Sequence, residues 1–183
     1  MRVREVSEEV LFGDDRVIKV SRADMESLKE RARHNPRKRI RLCAHKDVED
    51  KLHEMLIVHT KDTYVRPHKH LTKSESFHVI EGSVDVVIFD EAGGIVEVIQ
   101  MGDYSSGRRF YYRISEPCYH TLLISSDFLV FHETVNGPFR KADTVFPSWA
   151  PDENDAATQK QFIERLVQVV EGFLSKGEGH INA

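Results

Sequence analysis

Short alternations of apolar and polar residues dominate the middle of the chain. Ser83-Val-Asp-Val-Val-Ile-Phe-Asp90 is the clearest, with side chains sorting onto two faces at a period of two, as on a strand. Comparable runs occupy residues 53–60, 63–70, 75–81, 83–90, 94–101, 109–114, 119–125 and 127–135. They are separated by the turn signals Lys61-Asp62, Glu81-Gly82, Glu91-Ala92-Gly93-Gly94, Gly102-Asp103, Ser105-Ser106-Gly107 and Ser115-Glu116-Pro117. Many short strands at close spacing predict an all-β core, as a sandwich or a closed barrel.

The flanks read differently. Residues 1–20 predict one or two short strands, with Val3, Val6 and Val10 to Phe12, then Val17 to Val20 beyond a turn at Gly13-Asp14-Asp15. A short helix follows. Ser21 caps it with Asp24 as capping-box partner, and Met25, Leu28 and Ala32 form its apolar stripe. It stops before Pro36, because a residue preceding proline avoids the α region. After the strands, Gly137-Pro138 breaks the pattern and Phe146 to Glu153 reads as an irregular ordered segment. A second helix is predicted over 156–175, its stripe made of Phe162, Leu166, Val169, Val170 and Phe173, with Gly177 just past its end. That stripe suits packing on the barrel or on a partner subunit. The organisation expected is therefore an N-terminal part over 1–52, a barrel over 53–139 and a C-terminal extension over 140–183.

Composition narrows the function classes. The chain has 183 residues, 40% hydrophobic and 31% charged, with a formal net charge of −4, enough for one domain with a real core. An acidic balance disfavours a nucleic-acid partner. Seven Lys or Arg residues between Lys29 and Arg41 read mainly as the solvated basic end of the first helix. No apolar run approaches the roughly 18–20 residues that span a bilayer, so no membrane partner is expected. Acids in the first nine residues argue against a signal peptide. Two cysteines, Cys43 and Cys118, do not make a disulfide scaffold, and a cytoplasmic location is the expectation.

Ten histidines are many for this length, and three are spaced for chemistry. In Tyr64-Val-Arg-Pro-His-Lys-His70, His68 and His70 stand two apart, so an extended strand points both imidazoles to one face. Two neutral imidazoles on one face chelate a transition metal. Glu75 follows after a short turn as a charge-balancing carboxylate, and Gly82 permits the next tight turn. Pro117-Cys-Tyr-His120 then supplies a third imidazole at a later strand start, where a rolled sheet brings it opposite the first pair.

This constellation resembles the cupin superfamily. His68, His70, Glu75 and Gly82 match the spacing of its first motif, with Asp62 where that motif opens on glycine. Pro117 and His120 match its second motif, while Cys118 and Ile124 replace the usual Gly and Asn. The resemblance implies a double-stranded β-helix, or jelly-roll barrel, holding one divalent transition metal on His68, His70, Glu75 and His120, with iron, manganese, nickel and zinc all compatible. More narrowly, the chain looks like the WbuC family of cupin-fold metalloproteins found among bacterial O-antigen and polysaccharide genes. Arg39 to His45, Tyr64 to His70, Val87 to Gly93, His132 to Phe139 and Trp149 to Glu153 carry that likeness.

Strand parity predicts that Tyr64 and Arg66 face inward with the histidines, and that Leu122 and Ile124 accompany His120. Of His132 and Glu133, only one can enter the barrel. Glu133 and Tyr64 are the expected catalytic groups, Glu133 as general base, and Arg66, Arg39, Arg41 and His45 the expected substrate-binding groups. The leading functional expectation is a metal-dependent, isomerase- or epimerase-like enzyme acting on an anionic carbohydrate or nucleotide-sugar intermediate, working as a homodimer. An iron-dependent dioxygenase and a non-catalytic sugar-binding or sensing module are the alternatives.

Overall fold

The computed structural model describes residues 1–178. In chain order the elements are β1 (Val3–Ser7), β2 (Val10–Gly13), α1 (Arg22–His34), β3 (Arg39–Cys43), β4 (Leu52–Thr60), β5 (Lys69–His70) and β6 (Glu75–Glu81). They continue as β7 (Ser83–Phe89), β8 (Ile95–Gly102), β9 (Tyr111–Ile114), β10 (Tyr119–Ile124), β11 (Phe128–Asn136), β12 (Thr144–Val145) and α2 (Ala156–Glu178). One seven-stranded sheet has the order β1-β2-β3-β4-β11-β6-β9. Facing it are β10-β7-β8 and the small pair β12-β5. Backbone hydrogen bonds of 3.1 and 2.9 Å between His68 and His120 join these two into a single layer.

The core lies between the layers, with Phe77, Val79, Leu129 and Phe131 from the large sheet meeting Val84, Val86 and Leu122 from the small one. The outer faces are covered as well. Met25, Leu28 and Ala32 of α1 pack on Ile40, Leu42, Val58 and Val130, while Leu166 and Val170 of α2 pack on Val87, Phe89 and Tyr119. The result is a mostly antiparallel jelly-roll-like barrel with a helix on each side.

Local chemistry explains the helix ends. Ser21 Oγ accepts from the Asp24 N–H (3.3 Å) and the Asp24 carboxylate accepts from the Ser21 N–H (2.8 Å), the reciprocal pair of a capping box. The helix closes at Asn35, ahead of Pro36. Inside it, buried Lys29 reaches across to Glu81 at the end of β6, 2.6 Å from both carboxylate oxygens.

Several elements differ from expectation. The N-terminal hairpin turns at Glu8-Glu9, and residues 17–20 are irregular, because the free edge of β2 is taken by β3 in parallel after the α1 crossover. The strand expected over 63–70 shrinks to Lys69–His70, since Pro67 has no N–H to give a ladder. Arg39–Cys43 and Thr144–Val145 are strands that the pattern did not announce. Helix α2 runs through Gly177 rather than stopping before it, and of its expected stripe Val169 and Phe173 are exposed.

Candidate metal centre and its cavity

Pairing of β5 with β12, and of His68 with His120, fixes where the first imidazoles stand. The ring of His120 lies 4.5 Å from that of His68, and the ring of His70 is 5.2 Å from His68. Glu75, the first residue of β6, points its carboxylate at them. Its Oε2 is 3.3 Å from His70 Nε2 and its Oε1 is 3.7 Å from His120 Nε2. One ligand atom each from His68, Glu75 and His120 all lie within 4.8 Å of one another.

The tautomers follow from the partners. His68 Nδ1 is 2.8 Å from the Arg66 carbonyl and His120 Nδ1 is 3.1 Å from the Cys118 carbonyl. A carbonyl only accepts, so each Nδ1 carries the proton and each Nε2 keeps a free lone pair. His70 Nδ1 lies 3.2 Å from the Thr144 hydroxyl. This is the orienting contact that metal-ligating histidines use. On Glu75, Oε1 accepts from the Tyr112 hydroxyl at 2.9 Å.

The electrostatics suit a cation. Burial, reinforced by the neighbouring His120, pushes the His68 imidazole down to about 3, so it is neutral at physiological pH. Burial works against ionisation of Glu75, but His120 and the contact with His70 outweigh it and hold the carboxyl below the usual range. Imidazoles grouped around one carboxylate fit a divalent transition ion. Donor atoms bound to one ion at about 2.1 Å sit about 3–4 Å apart, the scale of the separations found here.

These residues lie in a cavity of about 450 Å³ between the layers. Its apolar lining includes Ile57, Phe77, Leu122, Phe131 and Phe146, and its polar wall carries Arg41, His59 and Glu133. Burial, then the charge of Glu75, pushes the Glu133 carboxyl up to about 8 against the opposing pull of Arg41. At the rim, Arg39 Nε pairs with Glu9 (3.0 Å), Arg66 with Asp152 (2.8 Å), and Arg37 with Glu153.

Of the residues singled out from the sequence, His68, His70, Glu75, His120, Arg39, Arg41, Arg66 and Glu133 all line this cavity. Tyr64 and His45 do not. The segment around Tyr64 is not a strand, so its parity with Arg66 is lost. Its hydroxyl donates to the Pro151 carbonyl (3.0 Å), and its ring meets Phe162 of α2. His45 lies past the end of β3, stacked on His53 at 4.0 Å with its edge contact to Phe12. Sequence reasoning missed Tyr112 and His59. Tyr112 and His59 occupy inward positions of their strands, and that parity was the available signal.

Comparison with known proteins adds the following. The model of a family described as a domain of unknown function (DUF6016) matches residues 20–101, under half of the chain. No curated protein matches. Similar solved structures are cupin-fold proteins. Protein SO0799 from Shewanella oneidensis shares 14% identity over 56% of this chain and 66% of that one, with a TM-score of 0.45. Oxalate decarboxylase from Bacillus subtilis at pH 4.6 shares 18% over 54% of this chain and 24% of its own, with a TM-score of 0.44. CapF with the inhibitor 3-isopropenyl-tropolone shares 21% over 58% of this chain and 31% of its own, with a TM-score of 0.46. In each case the chain spans less than two thirds of the other protein, and the likeness concerns the fold alone.

Proposed function

We propose that this protein is a metal-dependent enzyme catalysing an isomerase- or epimerase-like proton transfer on a carbohydrate or nucleotide-sugar intermediate. One observation carries the reading: the imidazoles of His68 and His120 converge with the Glu75 carboxylate, His70 stands 3.3 Å from that carboxylate, and the same cavity holds a further carboxyl, Glu133. The WbuC resemblance over residues 37–153 supports the substrate class.

His68, His70, Glu75 and His120 would hold iron, manganese, nickel or zinc. Such an ion, when bound, supplies Lewis-acid polarisation of a substrate carbonyl or hydroxyl. Glu133 takes and returns the proton at the adjacent carbon, and a carboxyl raised to about 8 is poised near working pH for that exchange. Tyr112 keeps the Glu75 carboxylate turned toward the imidazoles. Phe77, Leu122 and Phe131 exclude water, and the basic side of the cavity receives an anionic substituent. For assembly we propose a homodimer, supported by the open edge of β1, where Val3 and Val6 are uncovered.

The test is elemental analysis of untagged protein followed by a screen of nucleotide sugars with and without oxygen. About one transition metal per chain and oxygen-independent turnover are expected. Oxygen-dependent substrate loss with iron would replace this reading with dioxygenation. Tight sugar binding without turnover would replace it with a binding module. Sedimentation equilibrium checks the dimer.

A further inference from the structure

The cavity's positive groups are not equivalent. Arg37, Arg39 and Arg66 stand at the rim and are each answered by a carboxylate of this chain: Glu153 and Glu9 for the first two, Asp152 for the third. Arg41, on the inner face of β3, has no side-chain hydrogen bond or ion pair among the described residues. Next to it in the same wall is His59, whose neighbour across the β3–β4 ladder is Arg39. His59 is 7% exposed and its Nδ1 is buried without a hydrogen-bond partner. A buried polar atom left unpaired is costly, so this wall is not fully satisfied by the chain itself. The unpaired guanidinium lining the cavity asks for an oxyanion, and His59 stands in the same wall with its Nε2 as the nitrogen not sealed inside the protein. The planar guanidinium offers two parallel N–H groups to a carboxylate or phosphoryl group, and neutral His59, in its Nε2–H tautomer, adds a third donor.

We propose that Arg41 and His59 form the recognition end of the cavity for one carboxylate or phosphoryl group of the substrate. The inference rests on reading the cavity as a substrate site and deepens it by naming where the charge sits. The rim arginines, already neutralised, act as walls rather than as the primary anion site. Glu133 lies within electrostatic reach of both Arg41 and Glu75. A substrate anchored at Arg41 with its other end at the imidazoles shares the cavity with Glu133. The molecule this describes is a sugar-sized acid or phosphate monoester.

The test is calorimetric titration of the full-length, untagged, as-purified protein with inorganic phosphate and, separately, with acetate, at low ionic strength. Saturable binding of at least one anion is expected. Preference for phosphate assigns a phosphoryl substituent, and preference for acetate a carboxylate. Arg41→Gln and His59→Phe should each weaken binding at least tenfold, whereas Arg37→Gln, whose guanidinium is paired, should weaken it less than threefold. Thermal unfolding guards against a folding defect: without anion, Arg41→Gln should melt no lower than the wild type. With anion, only the wild type should gain stability. Elemental analysis runs on the same samples. Metal-loaded wild type that binds neither anion, or Arg41→Gln that binds as the wild type does, overturns the proposal and leaves the metal reading standing. Metal-free protein that still binds through Arg41 does the reverse.

Discussion

His59 offers a sharp test of how the cavity wall is built. Burial, then the charges of Arg41 and Arg37, pushes its imidazole from the ordinary 6.5 down to about 3. The folded protein therefore keeps His59 neutral between pH 8 and 5, while the unfolded chain takes up a proton below 6.5. A depressed folded value means that stability is fully present above 6.5 and is lost as the pH falls toward the folded value. One proton of difference corresponds to about 1.4 kcal/mol per pH unit, so His59 should remove about 2 kcal/mol between pH 8 and 5. His59→Leu abolishes this contribution. Other titrating groups, such as His68 and Glu133, are common to both proteins and cancel in the comparison to within a few tenths of a kcal/mol. Urea unfolding of wild type and His59→Leu at pH 5, 6, 7 and 8, with chelator present, gives the two slopes. The wild type should lose about 2 kcal/mol more than the variant over that range. Parallel slopes, differing by under about 0.5 kcal/mol across the window, would refute a neutral, buried His59.

Two further predictions follow from single contacts. Tyr112→Phe removes the hydroxyl that donates to Glu75 Oε1 but keeps the ring stacked on Phe77 at 5.1 Å, so the fold should survive. Metal affinity should fall about 10–100-fold, measured by competition with a chelator. Gly82 has φ +94° at the β6–β7 turn, and a Cβ there would sit 2.2 Å from the Phe128 carbonyl oxygen. Gly82→Ala should cost about 2–4 kcal/mol in urea unfolding, and a loss under about 1 kcal/mol would show that the turn relaxes freely.

The arrangement of the metal-facing side chains was legible because it is written in short-range spacing. A two-residue step puts His68 and His70 together, and the residues of β6 and β10 alternate as strands must. The α1 cap was equally local. What escaped depends on contacts that no single segment reveals. Arg39–Cys43 looked like the tail of a basic run because its charged residues face the barrel interior, while Ile40 and Leu42 face α1. With both faces of the sheet covered, the rule that polar means outside inverts. Tyr64 was misplaced by extending strand parity across Pro67. His59 was passed over because a single histidine in an apolar strand reads as a packed residue until its neighbours, Arg41 and Arg37, are brought in from 20 residues away.

The β2–α1–β3 unit supplies Arg39 and Arg41 yet contributes none of the four metal-facing side chains, which come from the segment between His68 and His120. In the proposed reading, the side chains for the cation and those for the acid lie on separate stretches of polypeptide that meet only across the barrel's hollow. Exchanging residues in one short strand can retune which molecules are admitted, with the ion's own shell left as it was.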